Sequence, residues 1–151
     1  MKSRAFTLIE MVVCVVVLGI AVPPTLELVA DAAAGRADSV NTTRAVLFAE
    51  LVLETCIADV ASNSDGLGFA GLGDSSAYET GLRSRLADVQ AAYTDVGMSF
   101  DLSVGSLVSS AGSVSENEIE NVFRVITVTV EFQSARGSAQ RLPVSMVIGE
   151  L

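Results

Sequence analysis

No histidine and no tryptophan occur among the 151 residues, and only 5% of the chain is aromatic. Without histidine, a Ser-His-Asp triad, a Cys-His dyad or a His-ligated metal site cannot be built. Positive charge is scarce as well: Lys and Arg number 9 against 18 Asp and Glu, a formal net charge of -9. Phosphate backbones are gripped by clustered cations, so no nucleic-acid partner is expected. Two cysteines exclude a disulfide framework. What the chain has in plenty is hydrocarbon, with 50% hydrophobic residues and a mean hydropathy of +0.53. A chain that is both apolar and acidic implies segregation, with one very apolar segment beside one solvated domain.

The apolar segment is N-terminal. Lys2 and Arg4 precede an apolar run over residues 6–22, in which Glu10 is the only ionisable carboxylate or base. As a helix this run spans about 25 Å, just short of a bilayer core of ~30 Å. Three readings compete. A secretory signal peptide requires a small-residue cleavage site. Ala30-Asp31-Ala32 resembles one faintly, but Pro23, Pro24 and Glu27 intervene. A plain single-pass anchor fits the length but leaves Glu10 unexplained, since a carboxylate in a spanning helix costs roughly 2.5–3.5 kcal/mol on insertion scales. The third reading gives Glu10 a partner and makes it an assembly residue.

The run from Arg4 through Ala5-Phe6-Thr7-Leu8-Ile9-Glu10 to Met11-Val12-Val13 resembles the class III leader of type IV pilins and type II secretion pseudopilins. The resemblance covers about the first 24 residues. It implies that a prepilin peptidase cuts between Ala5 and Phe6 on the cytoplasmic face and that the new amine of Phe6 is N-methylated. The chain departs from the family pattern in one place: Ala5 stands before the cut where the family has Gly. The resemblance also implies a role for Glu10. Its carboxylate meets the Phe6 ammonium of a neighbouring subunit, because a charge in an apolar bundle is tolerated only when paired. Such a pair sets the axial stagger between subunits. Cys14, inside the run, reads as a small hydrophobe.

Pro23 and Pro24 remove backbone donors, so a helix kink is expected there. Residues 25–61 read as a continuation of the helix into the soluble domain, with Leu47, Phe48, Leu51 and Ile57 expected to cover a sheet. The stretch from Arg44 to Glu54 also resembles the helix of the I-type minor pseudopilin. Residues 62–81 read as a Gly/Ser-rich loop. Gly66, Gly68 and Gly71 formally match a dinucleotide fingerprint but lack the strand before and the helix after it. A short helix is expected over residues 79–93, with Arg83 and Arg85 outside.

The period then changes to two. Met98, Phe100, Leu102 and Val104 alternate with polar residues, and Ile126, Val128, Val130 and Phe132 form one face of the strongest strand. Residues 134–138 read as a hairpin turn, and Leu142, Val144, Met146 and Ile148 as its partner strand. Pro143 points to a sheet edge. The expected fold is α+β and pilin-like: a long N-terminal helix, half of it transmembrane, packed on a small antiparallel β-sheet. The chain divides into a leader (1–5), a transmembrane and assembly helix (6–24), a helix entering the domain (25–61), and a loop, short helix and sheet (62–151).

Glu116, Glu118 and Glu120 match no defined calcium loop and read as a solvated acidic face. Cys56 reads as a buried inert thiol, about 63 Å along the helix from Cys14 and unable to bridge to it. No catalytic residue, metal or cofactor is expected. The family resemblance implies a structural subunit, more in the manner of a minor type II secretion pseudopilin. Its partners would be the prepilin peptidase, other pilin or pseudopilin subunits, an inner-membrane assembly platform and the lipid bilayer. The alternatives are a minor type IV pilin for adhesion, motility or DNA uptake, and a membrane-anchored binding module outside any filament. Lys2 and Arg4 place the N-terminus in the cytoplasm, with the C-terminal domain periplasmic and the assembled form in a periplasmic or surface filament.

Overall fold

The computed structural model describes residues 7–62 and 64–150. One helix, α1 (Leu8–Val60), dominates. Its 53 residues extend about 80 Å. Its N-terminal part is exposed on every side, and its C-terminal part lies on a three-stranded antiparallel sheet of order β1-β2-β3. The strands are β1 (Ser99–Val108), β2 (Phe123–Gln133) and β3 (Ala139–Gly149). Between helix and sheet the chain forms α2 (Gly68–Gly71), α3 (Ser75–Arg85) and α4 (Ala87–Thr94). The architecture is α+β, a long apolar-ended helix packed on a small antiparallel sheet, as in the pilin fold.

The sheet follows from period-two patterning. Ile126, Val128, Val130 and Phe132 are buried, while Val125 and Gln133 face out. Val130 pairs with Phe100 on one side and Leu142 on the other, so three strands present one apolar face to α1. Pro143 sits opposite Thr129 in β3, an edge strand where the missing donor breaks no ladder. A bulge in β1 lies between Val104 and Leu107. A Cβ on Gly105 there would stand 3.2 Å from the Val125 carbonyl oxygen, so the small residue lets the strands approach.

The helix face differs from the expectation. Phe48 is fully buried and Leu51 half-buried, but Leu47 and Ile57 are each 53% exposed. The face on the sheet is instead Ala45, Phe48, Ala49, Val52, Leu53 and Cys56. These residues keep the 3–4 spacing of one helical stripe. Two of them are alanines, and small side chains let a helix approach a sheet closely. Phe48 anchors the core by stacking on Tyr93 (ring centroids 4.1 Å apart) and meeting Phe100 edge-on at 5.5 Å.

The connection also differs. Within residues 62–81, read as loop, α3 already begins at Ser75, because the Asp74 carboxylate accepts from the Ala77 amide at 3.0 Å and caps it. The single short helix expected over residues 79–93 is two helices that meet at Leu86, which is buried.

Candidate assembly site

The N-terminus of α1 is built by Thr7 and Glu10. The Thr7 hydroxyl accepts from the Glu10 amide, and the Glu10 carboxylate accepts from the Thr7 amide, both at 3.4 Å. This is a capping box, in which two of the helix's orphan donors are satisfied reciprocally. A negative side chain in the first turn also complements the positive end of the helix dipole. The bonds are long, so the carboxylate is held loosely rather than locked. Glu10 therefore has a local task that the sequence reading missed, although Thr-x-x-Glu before an apolar run is its usual signature.

Beyond the cap, the flank of α1 has no partner. Leu8, Ile9, Val15, Ile20, Leu28 and Val29 are each more than 65% exposed. The helix is long and apolar enough to cross a membrane. Hydrocarbon exposed along this length must be covered by lipid or by other helices. Cys14 lies in this stretch, exposed, and Cys56 is buried in the domain; both are free thiols.

Pro23 and Pro24 lie inside α1, so the helix does not stop there. Their missing amides leave the carbonyls of Gly19 and Ile20 without their usual donors. One turn later the Thr25 hydroxyl donates to the Val22 carbonyl at 2.7 Å. The segment thus has a weakened hydrogen-bond ladder between two well-formed stretches. Ala5 and Phe6, the expected cleavage and methylation residues, lie outside the described residues, as do Lys2 and Arg4.

Among the described residues the domain holds a buried ionic cluster that sequence reasoning missed. Asp59 is 6% exposed. Its Oδ2 accepts from Arg85 at 2.5 Å and from the Tyr78 hydroxyl at 2.8 Å. Arg85, expected to be outside, folds back over the Tyr78 ring and ties α3 to the end of α1. Burial and the neighbouring Cys56, and then Asp59, hold the Tyr78 hydroxyl well above its ordinary range. Burial likewise pushes the Cys56 thiol up, which keeps it protonated and unreactive. Both charges are committed to each other, so the cluster braces the domain and presents no free acid or base to a substrate. Arg83 braces the other flank, with its guanidinium 4.5 Å from the centroid of the Phe100 ring and bonded to the Phe100 carbonyl at 2.7 Å.

Glu116, Glu118 and Glu120 do not converge. Glu120 accepts from the Ser115 hydroxyl and the Asn117 amide, and no group of three acidic or thiol side chains suited to a metal occurs among the described residues. Gly66, Gly68 and Gly71 form a tight turn. A Cβ on Gly71 would stand 2.6 Å from the Gly66 carbonyl oxygen, so glycine serves packing there.

Residues 1–22 match the family model of the prokaryotic N-terminal methylation motif. The chain therefore carries an N-terminal methylation motif of the kind that heads pilin-like proteins. The match covers the start of the chain, and the described fold follows it with a long helix, apolar at its N-terminal end and packed on a small sheet near its C-terminal end. No curated protein and no solved structure matches the chain.

Proposed function

We propose that this pilin-like protein is a structural subunit of a filament of the type II secretion pseudopilus kind. It would be cut between Ala5 and Phe6, N-methylated on Phe6, and held in the inner membrane by α1 with its domain periplasmic. The observation that carries this reading is the combination of the leader match with an α1 flank exposed on every side from Leu8 to Val29. In the bilayer that flank contacts lipid. An assembly platform would draw it out, and the same flank would then contact other helices in the filament core.

Glu10 has two states in this account. In the membrane-held subunit it caps its own helix with Thr7. In the filament the loosely held carboxylate turns to the Phe6 ammonium of a neighbour and sets the register. Pro23 and Pro24 give α1 a place to bend or unwind as it moves from bilayer to bundle. The chain contributes no catalysis, and work is supplied by a partner ATPase.

The test replaces Glu10 with Ala and, separately, with Gln. Gln retains a capping acceptor but carries no charge. Filament incorporation is expected to fail in both, while the domain remains folded. Incorporation of Glu10→Gln at the unsubstituted level would leave the cap as the only role of this residue. A minor, tip-located subunit is the second reading, favoured by the helix from Arg44 to Glu54. Adhesion, motility or DNA uptake by a type IV pilus would use the same helix and leader.

A further inference from the structure

Two features at opposite ends of the domain are both apolar and are flanked by opposite charge. The first is a knob. The chain between the end of β1 at Val108 and the start of β2 at Phe123 forms the end of the domain remote from the apolar half of α1. Within it Ile119 is 84% exposed, although its segment is well braced. Asn121 accepts from the Ser115 amide at 2.8 Å and donates to the Ser115 carbonyl at 3.0 Å. Asn117 accepts from the Ile119 amide at 3.3 Å and starts the 3-10 turn Glu118–Glu120. A large aliphatic side chain is thus held out in water on a fixed mount, between Glu118 and Glu120. Glu118 makes no ion pair among the described residues.

The second feature is a cavity of about 350 Å³ near the opposite end, lined by Arg44, Ala92, Tyr93 and Val96. Its position is fixed by β1, whose first residue Ser99 pairs with Glu131, close to the β2–β3 turn. Tyr93 forms a rigid wall because it is stacked on Phe48. Val96 is 50% exposed, and Arg44 makes no ion pair among the described residues. The cavity is apolar with one free cation at its rim, and the knob is apolar with free carboxylate beside it.

We propose that Ile119 of one copy enters the Tyr93–Val96 cavity of a second copy, with Glu118 set against Arg44. This inference rests on the filament-subunit reading above. Knob and cavity are separated by roughly the 10 residues of β1, about 33 Å, so one copy docks above the next. Knob and cavity are different surfaces, so the contact is heterologous and repeats along a line instead of closing into a pair. A single side chain in a cavity is far smaller than the ~1,000 Å² of a free-standing interface. It acts only on copies whose helices already lie side by side, where effective concentration is high. The contact calls for neighbouring copies of this same chain, so it favours a repeated subunit over one present once at a tip.

The test uses the full chain in cells that assemble the filament. Ile119→Cys and Val96→Cys are made singly and together in a Cys14→Ser background, which removes the exposed native thiol, and mild oxidation is followed by non-reducing electrophoresis. The double variant is expected to give a ladder of multimers, co-expressed single variants a dimer, and each single variant alone neither. Glu118→Arg or Arg44→Glu in the double-cysteine background should remove the ladder, and the two together should restore it. A dimer from Ile119→Cys alone would show a symmetric knob-to-knob contact and overturn the proposal. So would loss of incorporation in Glu118→Arg without any ladder in the double-cysteine chain, which would assign the knob to a different protein. If the unsubstituted chain enters filaments but no ladder forms, this inference fails alone. If it never enters filaments and no ladder forms, both fall.

Discussion

Removing Arg85 should destabilise the domain more than removing its partner Asp59, although the two share one ion pair. The asymmetry comes from burial. The Asp59 side chain is 8% exposed and that of Arg85 is 36% exposed. Arg85→Ala leaves a carboxylate enclosed in the core with only the Tyr78 hydroxyl as donor. Stranding one member of a buried pair costs about 3–5 kcal/mol. Asp59→Ala leaves a guanidinium that can turn into water, and a tyrosine without its acceptor. Hydrogen bonds to a charged group contribute ~1.5–3 kcal/mol when buried, and the exposure of Arg85 reduces its share, so about 2 kcal/mol is expected. The double substitution should cost little more than Asp59→Ala alone, giving a coupling of about 3–4 kcal/mol in a double-mutant cycle. The assay is guanidinium unfolding of the full chain in detergent, followed by near-ultraviolet circular dichroism. With no tryptophan in the chain, the longer-wavelength part of the signal belongs to its two tyrosines, Tyr78 and Tyr93, both seated where α3 and α4 meet the core. The comparison requires equal denaturant slopes. An Asp59→Ala loss equal to or greater than that of Arg85→Ala would mean that the Asp59 carboxylate is not stranded by the loss of Arg85.

Alkaline conditions should weaken the domain in two steps. The Cys56 and Tyr78 protons are held above the ordinary values of 9.0 and 10.0 in the folded chain, so they are released first from the unfolded one. Stability is therefore full below about pH 9 and declines as pH rises past each ordinary value, by up to ~1.4 kcal/mol per pH unit for each group. Thermal melts from pH 7 to 11 should show a falling midpoint that is flatter above pH 10 in Tyr78→Phe; a flat profile in the unsubstituted chain would contradict the burial of both groups. Gly71→Ala should lower stability by about 1–3 kcal/mol, since its methyl meets backbone rather than a movable side chain. Gly35→Ala, with open space around it in a helix, should do the opposite by a few tenths to ~1 kcal/mol, and a pair of melts compares them directly.

The sheet was legible because period-two alternation leaves few alternatives. Phe100, Ile126, Val128 and Val130 are buried where their spacing puts them, and Pro143 stands at an edge. The helix was legible as a helix but not in its rotation. Hydrophobic residues surround residues 45–57, so choosing the largest of them selected Leu47 and Ile57, whereas close packing favoured Ala45 and Ala49. The Asp59–Arg85 pair had no local sign, because its members are 26 positions apart on different helices. The start of α3 was masked by surrounding Gly and Ser, although Asp74 carried the cap. At the assembly site the motif gave Glu10 an intermolecular role, and the structure adds an intramolecular one through Thr7.

In a filament subunit of this kind the first five residues are a leader and Phe6 is the working N-terminus. Mass spectrometry of the N-terminal peptide from membrane and filament fractions tests it most directly. A chain beginning at Phe6 and carrying one added methyl group is expected. A chain that still begins at Met1 in the filament fraction, or one cut near Ala32, would contradict it.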